Sequence, residues 1–181
     1  MTTTETTTGT TITGERADFL ETLRNQRHFL RFTVRGLTDE QATRRTTVSE
    51  LTLAGLIKHV SFVEQKWVDF ILEGTSAMPN FVELTEADWE RWSEEFRLLD
   101  GETLAGVLAE YERLAARTDE LVATLPDLDV SHPLPEAPWW DEPGKQWSAR
   151  RVLLHIIAET TQHAGHADII RESLDGAKSM G

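Results

Sequence analysis

Four segments of this chain repeat apolar side chains at spacings of three and four, the period of a helix that buries one face. The first starts at Glu15 and carries Phe19, Leu20, Leu23, Phe29, Leu30 and Val34, ending near Gly36. The second starts at Thr52, or slightly earlier at Ser49, and runs to about Leu72 with Leu53, Leu56, Ile57, Val60, Val63 and Trp67 facing inward. A third covers roughly Glu102 to Leu125, carries Leu104, Val107, Leu108, Tyr111, Leu114 and Leu121, and is ended by Pro126. Ser148 caps the fourth, which reaches about Leu174 and stops before Gly176. No segment shows a convincing strand alternation. The pattern predicts an all-α, four-helix bundle.

The connections are uneven. Leu37-Thr38-Asp39-Glu40-Gln41 reads as a short capped turn of helix. The link from Gly74 to Asp100 is long, and Thr85-Glu86-Ala87-Asp88 has the acids of a helix start, so part of it is helical. Residues 126–146 hold five of the six prolines together with Trp139-Trp140, a stiff ordered loop. Residues 1–13 form a Thr-rich tail too poor in apolar surface to order itself. The expected organisation is that tail, a single domain over 14–176 and a short C-terminal tail over 177–181.

The fourth helix carries an unusual polar stripe. At about 100° of rotation per residue, His155, Glu159, His163 and His166 share a band roughly 80° wide, on the side of Val152, Ile156 and Ile170. Imidazoles and a carboxylate facing a core need partners, and a divalent cation is one that satisfies several at once. The chain has no cysteine, so a metal would have to be held by imidazole and carboxylate. Glu159 and His163 are neighbours on successive turns and cannot close a site alone. Adding His155 does not help, because the rise from 155 to 163 is about 12 Å. A third ligand must come from another helix, and His59 is the candidate, lying mid-helix among Leu56, Val60 and Val63. The resulting set of His59, Glu159 and His163 leaves coordination positions open, as in reactive rather than structural zinc sites. The same residues admit a blander reading, with His59 a hydrogen-bonded core residue and Glu159–His163 an ordinary helical pair. His155 and His166 sit at one edge of the stripe and are read as supporting or surface residues, His166 being the reserve ligand. His28 and His132 have no partner in the sequence and are expected to be solvated.

Charge excludes two classes of partner. Against a net charge of −13, the 18 basic residues are scattered, which argues against nucleic acid and against anionic membranes. No apolar run approaches the roughly 20 residues that span a bilayer. The N-terminus lacks the basic segment and apolar core of a secretory signal. A cytoplasmic protein is expected.

The run Leu53-Ala-Gly-Leu-Ile-Lys-His59, together with Leu154-His-Ile-Ile-Ala-Glu159-Thr-Thr-Gln-His163-Ala-Gly-His-Ala-Asp168-Ile-Ile-Arg171-Glu, resembles the DinB-like superfamily. The likeness is greatest to the branch that includes mycothiol-dependent maleylpyruvate isomerase. It extends from about residue 15 to 175, and the second of the two runs is its specific part. The resemblance implies a bundle with an unusual helix order and a divalent metal between helices. Many members carry three histidines at the ligand positions, whereas this chain has Glu159 in place of one. That departure matches the isomerase-like branch, where two histidines and a glutamate hold zinc, and it implies ligand roles for His59, Glu159 and His163. His166, Asp168 and Arg171 also fit the habit of this branch, with no role to transfer.

The implied activity is that of a metal-dependent, mycothiol-type thiol S-transferase or isomerase. Zinc is the first expectation, with nickel or iron suiting the same donors; a homodimer is suggested by the family. The partners would be a small thiol and an electrophile. A bound cation lowers the pKa of a thiol or of water towards neutrality. No Ser-His-Asp spacing or carboxylate pair stands out, so no further catalytic residue is assigned. Trp139 and Trp140 would either roof the metal pocket or plug the bundle end, and Trp89, Trp92 and Phe96 invite the same two readings. Arg150 and Arg151 read as surface residues, and the acid-rich stretches 83–95 and 119–129 as solvated faces. The competing reading is a non-catalytic metal- or ligand-binding module of the stress response.

Overall fold

Five of the six α-helix starts among the described residues are fixed by hydroxyl side chains that accept from the otherwise orphaned N–H groups of the first turn, each worth about 1 kcal/mol. A computed structural model describes residues 12–140, 142 and 144–179. Its helices are α1 (Glu15–Phe32), α2 (Asp39–Ala42), α3 (Leu53–Glu73), α4 (Glu86–Ser93), α5 (Leu104–Thr124) and α6 (Ala149–Asp175). Thr52 accepts from Gly55 N, Thr103 from Gly106 N and Ser148 from Arg151 N. Thr38 with Gln41, and Thr85 with Asp88, form reciprocal capping boxes at α2 and α4. Gly176, at φ 80°, ends α6 in the left-handed conformation that glycine adopts without strain. Most of the Thr-rich tail, residues 1–11, and Met180 and Gly181 of the C-terminal tail lie outside the described residues.

The four long helices form the expected all-α bundle. Their order is not that of a simple up-and-down bundle: α1 packs against α5 and α6, and α3 packs against the same two. Consecutive long helices α1 and α3 are therefore diagonal. The first helix ends at Phe32 rather than near Gly36; single turns of i→i+3 bonding carry the chain on, and Val34 stays buried.

Two apolar clusters fill the interior. One gathers Leu23, Trp67, Phe70, Val122, Val152 and Ile156, and the other Leu30, Leu56, Ile57, Tyr111, Ala164 and Ile170. Each long helix also buries polar side chains: Arg27 on α1, His59, Ser61 and Glu64 on α3, Thr118 on α5 and Thr160 on α6. Arg27 crosses the diagonal from α1 to α3, donating from Nη2 to Glu64 Oε1 at 2.5 Å and from Nε to Oε2 at 3.2 Å. Its Nη1 donates to Asp119 Oδ1 at 2.7 Å, and the Thr118 hydroxyl donates to Glu64 Oε1 at 2.5 Å. Burial works against the guanidinium charge, but the two carboxylates outweigh it and hold Arg27 protonated. The stretch 119–129 is thus not wholly a solvated face.

The sequence suggested no strand, yet Ser131–Pro133 (β1) and Gln146–Ser148 (β2) pair antiparallel, with His132 opposite Trp147. Three residues are too few for an alternation to register. The ribbon closes the base of the Pro/Trp-rich loop, with Leu134 N donating to Lys145 O at 2.8 Å and Ala149 N to Val130 O at 2.8 Å. Farther out, Phe81 N donates to Glu136 O at 3.0 Å, tying the α3–α5 link to this loop. His132 is half-buried rather than solvated, its Nε2 3.2 Å from Ile71 O and its ring edge-on to Phe70. His28 is exposed, as expected.

Candidate metal centre

The diagonal helix order sets α3 beside α6, and that contact unites two segments about a hundred residues apart. His59 comes from the middle of α3, while Glu159 and His163 come from successive turns of α6. One ligand atom from each lies within 4.8 Å of the other two. His163 Nε2 is 3.6 Å from Glu159 Oε2, and the His59 and His163 rings meet edge-on at 4.9 Å.

The donor set fits a divalent cation. Bonds of about 2.0–2.2 Å bring donors on one ion within roughly 4 Å of one another, so a slight closing of side chains suffices. His59 Nδ1 is buried without a hydrogen-bond partner, an unmet need that an ordinary core histidine would not show. Burial, helped by His163, pushes the His59 imidazole down to about 4, against the pull of Glu159. His59 is therefore neutral near pH 7, the form that ligates metal. Glu159 is held below the usual carboxylate range, chiefly by the His163 imidazole beside it and against the effect of burial.

The other two histidines of the stripe flank the trio. His155 Nε2 stands 3.8 Å from Glu159 Oε1, the oxygen turned away from His163. Its ring lies edge-on to Trp67 at 4.8 Å and to Trp147 at 5.1 Å. Burial lowers its pKa, Arg151 adds to the shift and Glu159 opposes it. His166 Nδ1 lies 3.5 Å from His163 Nδ1, the ring nitrogen opposite the one near Glu159. Contact with the distal nitrogen is how a neighbour orients a ligating imidazole. Neither histidine joins the three-residue cluster found among the described residues.

Phe96, which the sequence left between roofing the pocket and plugging the bundle end, shapes the His59 side. Phe96 stacks on the His59 ring at 3.9 Å and 21°. The approach is close because α3 has a glycine one turn before His59: a Cβ on Gly55 would stand 1.9 Å from the Phe96 carbonyl oxygen. Alanine is the better helix former by about 1 kcal/mol, but here it must displace backbone. Gly55→Ala is expected to destabilise the protein by about 1–3 kcal/mol in denaturant unfolding. A stabilised variant would contradict this packing.

Glu95, next to Phe96, is also not the solvated acid expected of 83–95. Its Oε2 is buried without a partner, and burial pushes the carboxyl up to about 7 despite the pull of Lys66 and Lys58. An acid raised in the folded state stabilises below its unfolded pKa, and that contribution fades as pH rises through about 7. Glu95→Gln removes the loss. The variant should gain melting temperature relative to the parent between pH 5 and pH 8, which parallel thermal melts at the two pH values would read. An unchanged difference would count against this burial.

A cavity of about 350 Å³ adjoins the trio and is lined by His59, Glu159 and His155 on its metal side. Trp139 and Trp140 both line it, joined by Trp67, Trp92, Phe62 and Phe81. Trp89 is 42% exposed and does not line it. Neither Arg150 nor Arg151 lines it: Arg150 pairs with Glu15 and Asp129, and the Arg151 guanidinium lies 4.2 Å over the Trp147 ring.

The sequence profile of a family described as mycothiol-S-transferase matches residues 18–176. No curated protein matches the chain. Among solved structures, a conserved protein of Enterococcus faecalis superposes with a TM-score of 0.63 at 13% identity, covering 92% of this chain and all of its own. That likeness concerns the fold alone. Among the described residues no helix is long and apolar enough to cross a membrane.

Proposed function

The chain belongs to the mycothiol S-transferase family, within the DinB-like superfamily, and from that premise we propose that it joins a low-molecular-weight thiol to an electrophile at a divalent metal held by His59, Glu159 and His163. The observation that carries this reading is the convergence of three donors beside a cavity with room for a reactant. Zinc is the first choice, and nickel or iron suits the same donors. When bound, such an ion supplies Lewis acidity that keeps a thiol ionised near neutral pH.

The chain's own residues do the rest. Neutral His59 and ionised Glu159 present lone pairs without first losing a proton at pH 7. His166 and His155 hold the outer sides of His163 and Glu159, limiting their rotation. The aromatic wall limits contact with water, and a less solvated thiolate attacks carbon more readily. In that attack sulfur forms a bond to the electrophilic carbon. The displaced group leaves with its electron pair, or, in an addition, the neighbouring carbon takes up a proton.

The test is to assay untagged protein with a panel of electrophiles and mycothiol, bacillithiol or glutathione. Expected is conjugation with mycothiol that a chelator abolishes and added metal restores. Metal-replete protein that neither binds nor consumes any thiol would favour a non-catalytic binding module instead.

A further inference from the structure

We infer that the cavity beside the proposed metal centre takes an electrophile that is aromatic and carries an anionic group, and that Lys66 is the residue that selects it. This rests on the proposed function and extends it to the second reactant.

Three observations carry it. Phe62, Trp67, Phe81, Trp92, Trp139 and Trp140 supply the wall, so apolar ring faces dominate the surface a ligand would meet. Ring faces of this kind bind flat, apolar groups through offset and edge-on contact. The cavity's 350 Å³ accommodates two fused rings with a substituent, the scale of a small-molecule site.

The cation in that wall has no salt-bridge partner among the described residues. Among the described residues, Lys66 is the one Lys or Arg lining the cavity. Its Nζ lies 5.4 Å from the Phe62 ring centroid, and among the described residues it makes no salt bridge. The nearby acid that feels its charge, Glu95, is held partly protonated at neutral pH and neutralises Lys66 incompletely. An ammonium with no salt-bridge partner, set in an aromatic wall, complements a carboxylate or similar anion on a flat apolar body.

The third observation is position. His155 and Glu159 line the same cavity, so a ligand seated against the rings has its far end at the proposed centre. Lys66, two turns along α3 from His59, would fix the opposite, anionic end.

The probes are 2-naphthoate and its uncharged counterpart 2-naphthamide, titrated calorimetrically into protein as purified and after chelation. Neither probe is an electrophile, so the readout is binding and does not depend on turnover. Expected is naphthoate binding at least about tenfold tighter than naphthamide, the size of one charge-assisted contact. Lys66→Met should abolish that preference and leave naphthamide binding unchanged, while Lys66→Arg should keep most of it. Equal affinities for the two probes, or a preference unchanged in Lys66→Met, would overturn the inference. So would a preference lost on chelation yet intact in Lys66→Met, because the anion would then be on the metal. Metal content measured on the same samples separates the two claims: a Lys66-dependent preference in protein that binds no metal would sink the metal reading and leave this one standing.

Discussion

A His163→Ala variant is expected to lose its metal and to conjugate thiols about a thousandfold more slowly than the parent, a loss of several kcal/mol of transition-state stabilisation. His163 is the proposed ligand set against both others, with Glu159 Oε2 at 3.6 Å and the His59 ring at 4.9 Å. Removing it leaves His59 and Glu159 on different helices without the residue that bridges them. Glu159→His is the informative companion, because an imidazole can replace the carboxylate as a donor. That variant should retain metal, whereas Glu159→Ala should not. Elemental analysis together with initial conjugation rates checks all three. Full activity in metal-depleted His163→Ala would remove the metal from the reaction.

The second large effect is on stability. Arg27→Met is expected to destabilise the protein by about 3–5 kcal/mol, because it strands the Glu64 carboxylate in the core with only the Thr118 hydroxyl beside it. In a bundle of this length that corresponds to a fall in melting temperature of about 10 °C. The double variant Arg27→Met/Glu64→Leu should recover most of the loss, since an apolar pair of similar volume needs no compensating charge. Thermal melts of the two variants decide the matter. A double variant no better than the single one would mean that the ion pair holds the helix order rather than merely compensating itself.

The parts of the molecule legible in the sequence are those governed by local rules. Thr52, Thr85 and Ser148 announce helix starts, and Gly176 a helix end, through bonds within four residues. The period of Leu53, Leu56, Ile57 and Val60 announces the buried face they occupy. The candidate site was legible for a related reason: His155, Glu159, His163 and His166 are periodic, and His59 interrupts an otherwise apolar face. The polar layer was not. Arg27 and Glu64 look like ordinary surface residues on α1 and α3 until the diagonal packing turns them towards each other. Likewise, nothing local tells that Phe96 covers His59, although an unexplained glycine inside a strong helix, Gly55, is the mark of such a close approach. The β1–β2 ribbon was missed because short strands depend on their partner more than on their own pattern.

The most direct test of the central claim is anomalous diffraction from crystals of the untagged, metal-loaded protein, recorded above and below the absorption edge of the bound element. One strong peak among the side chains of His59, Glu159 and His163 is predicted. Stoichiometric metal with its peak elsewhere, or a trio that stays vacant at saturating zinc, nickel and iron, would contradict the account.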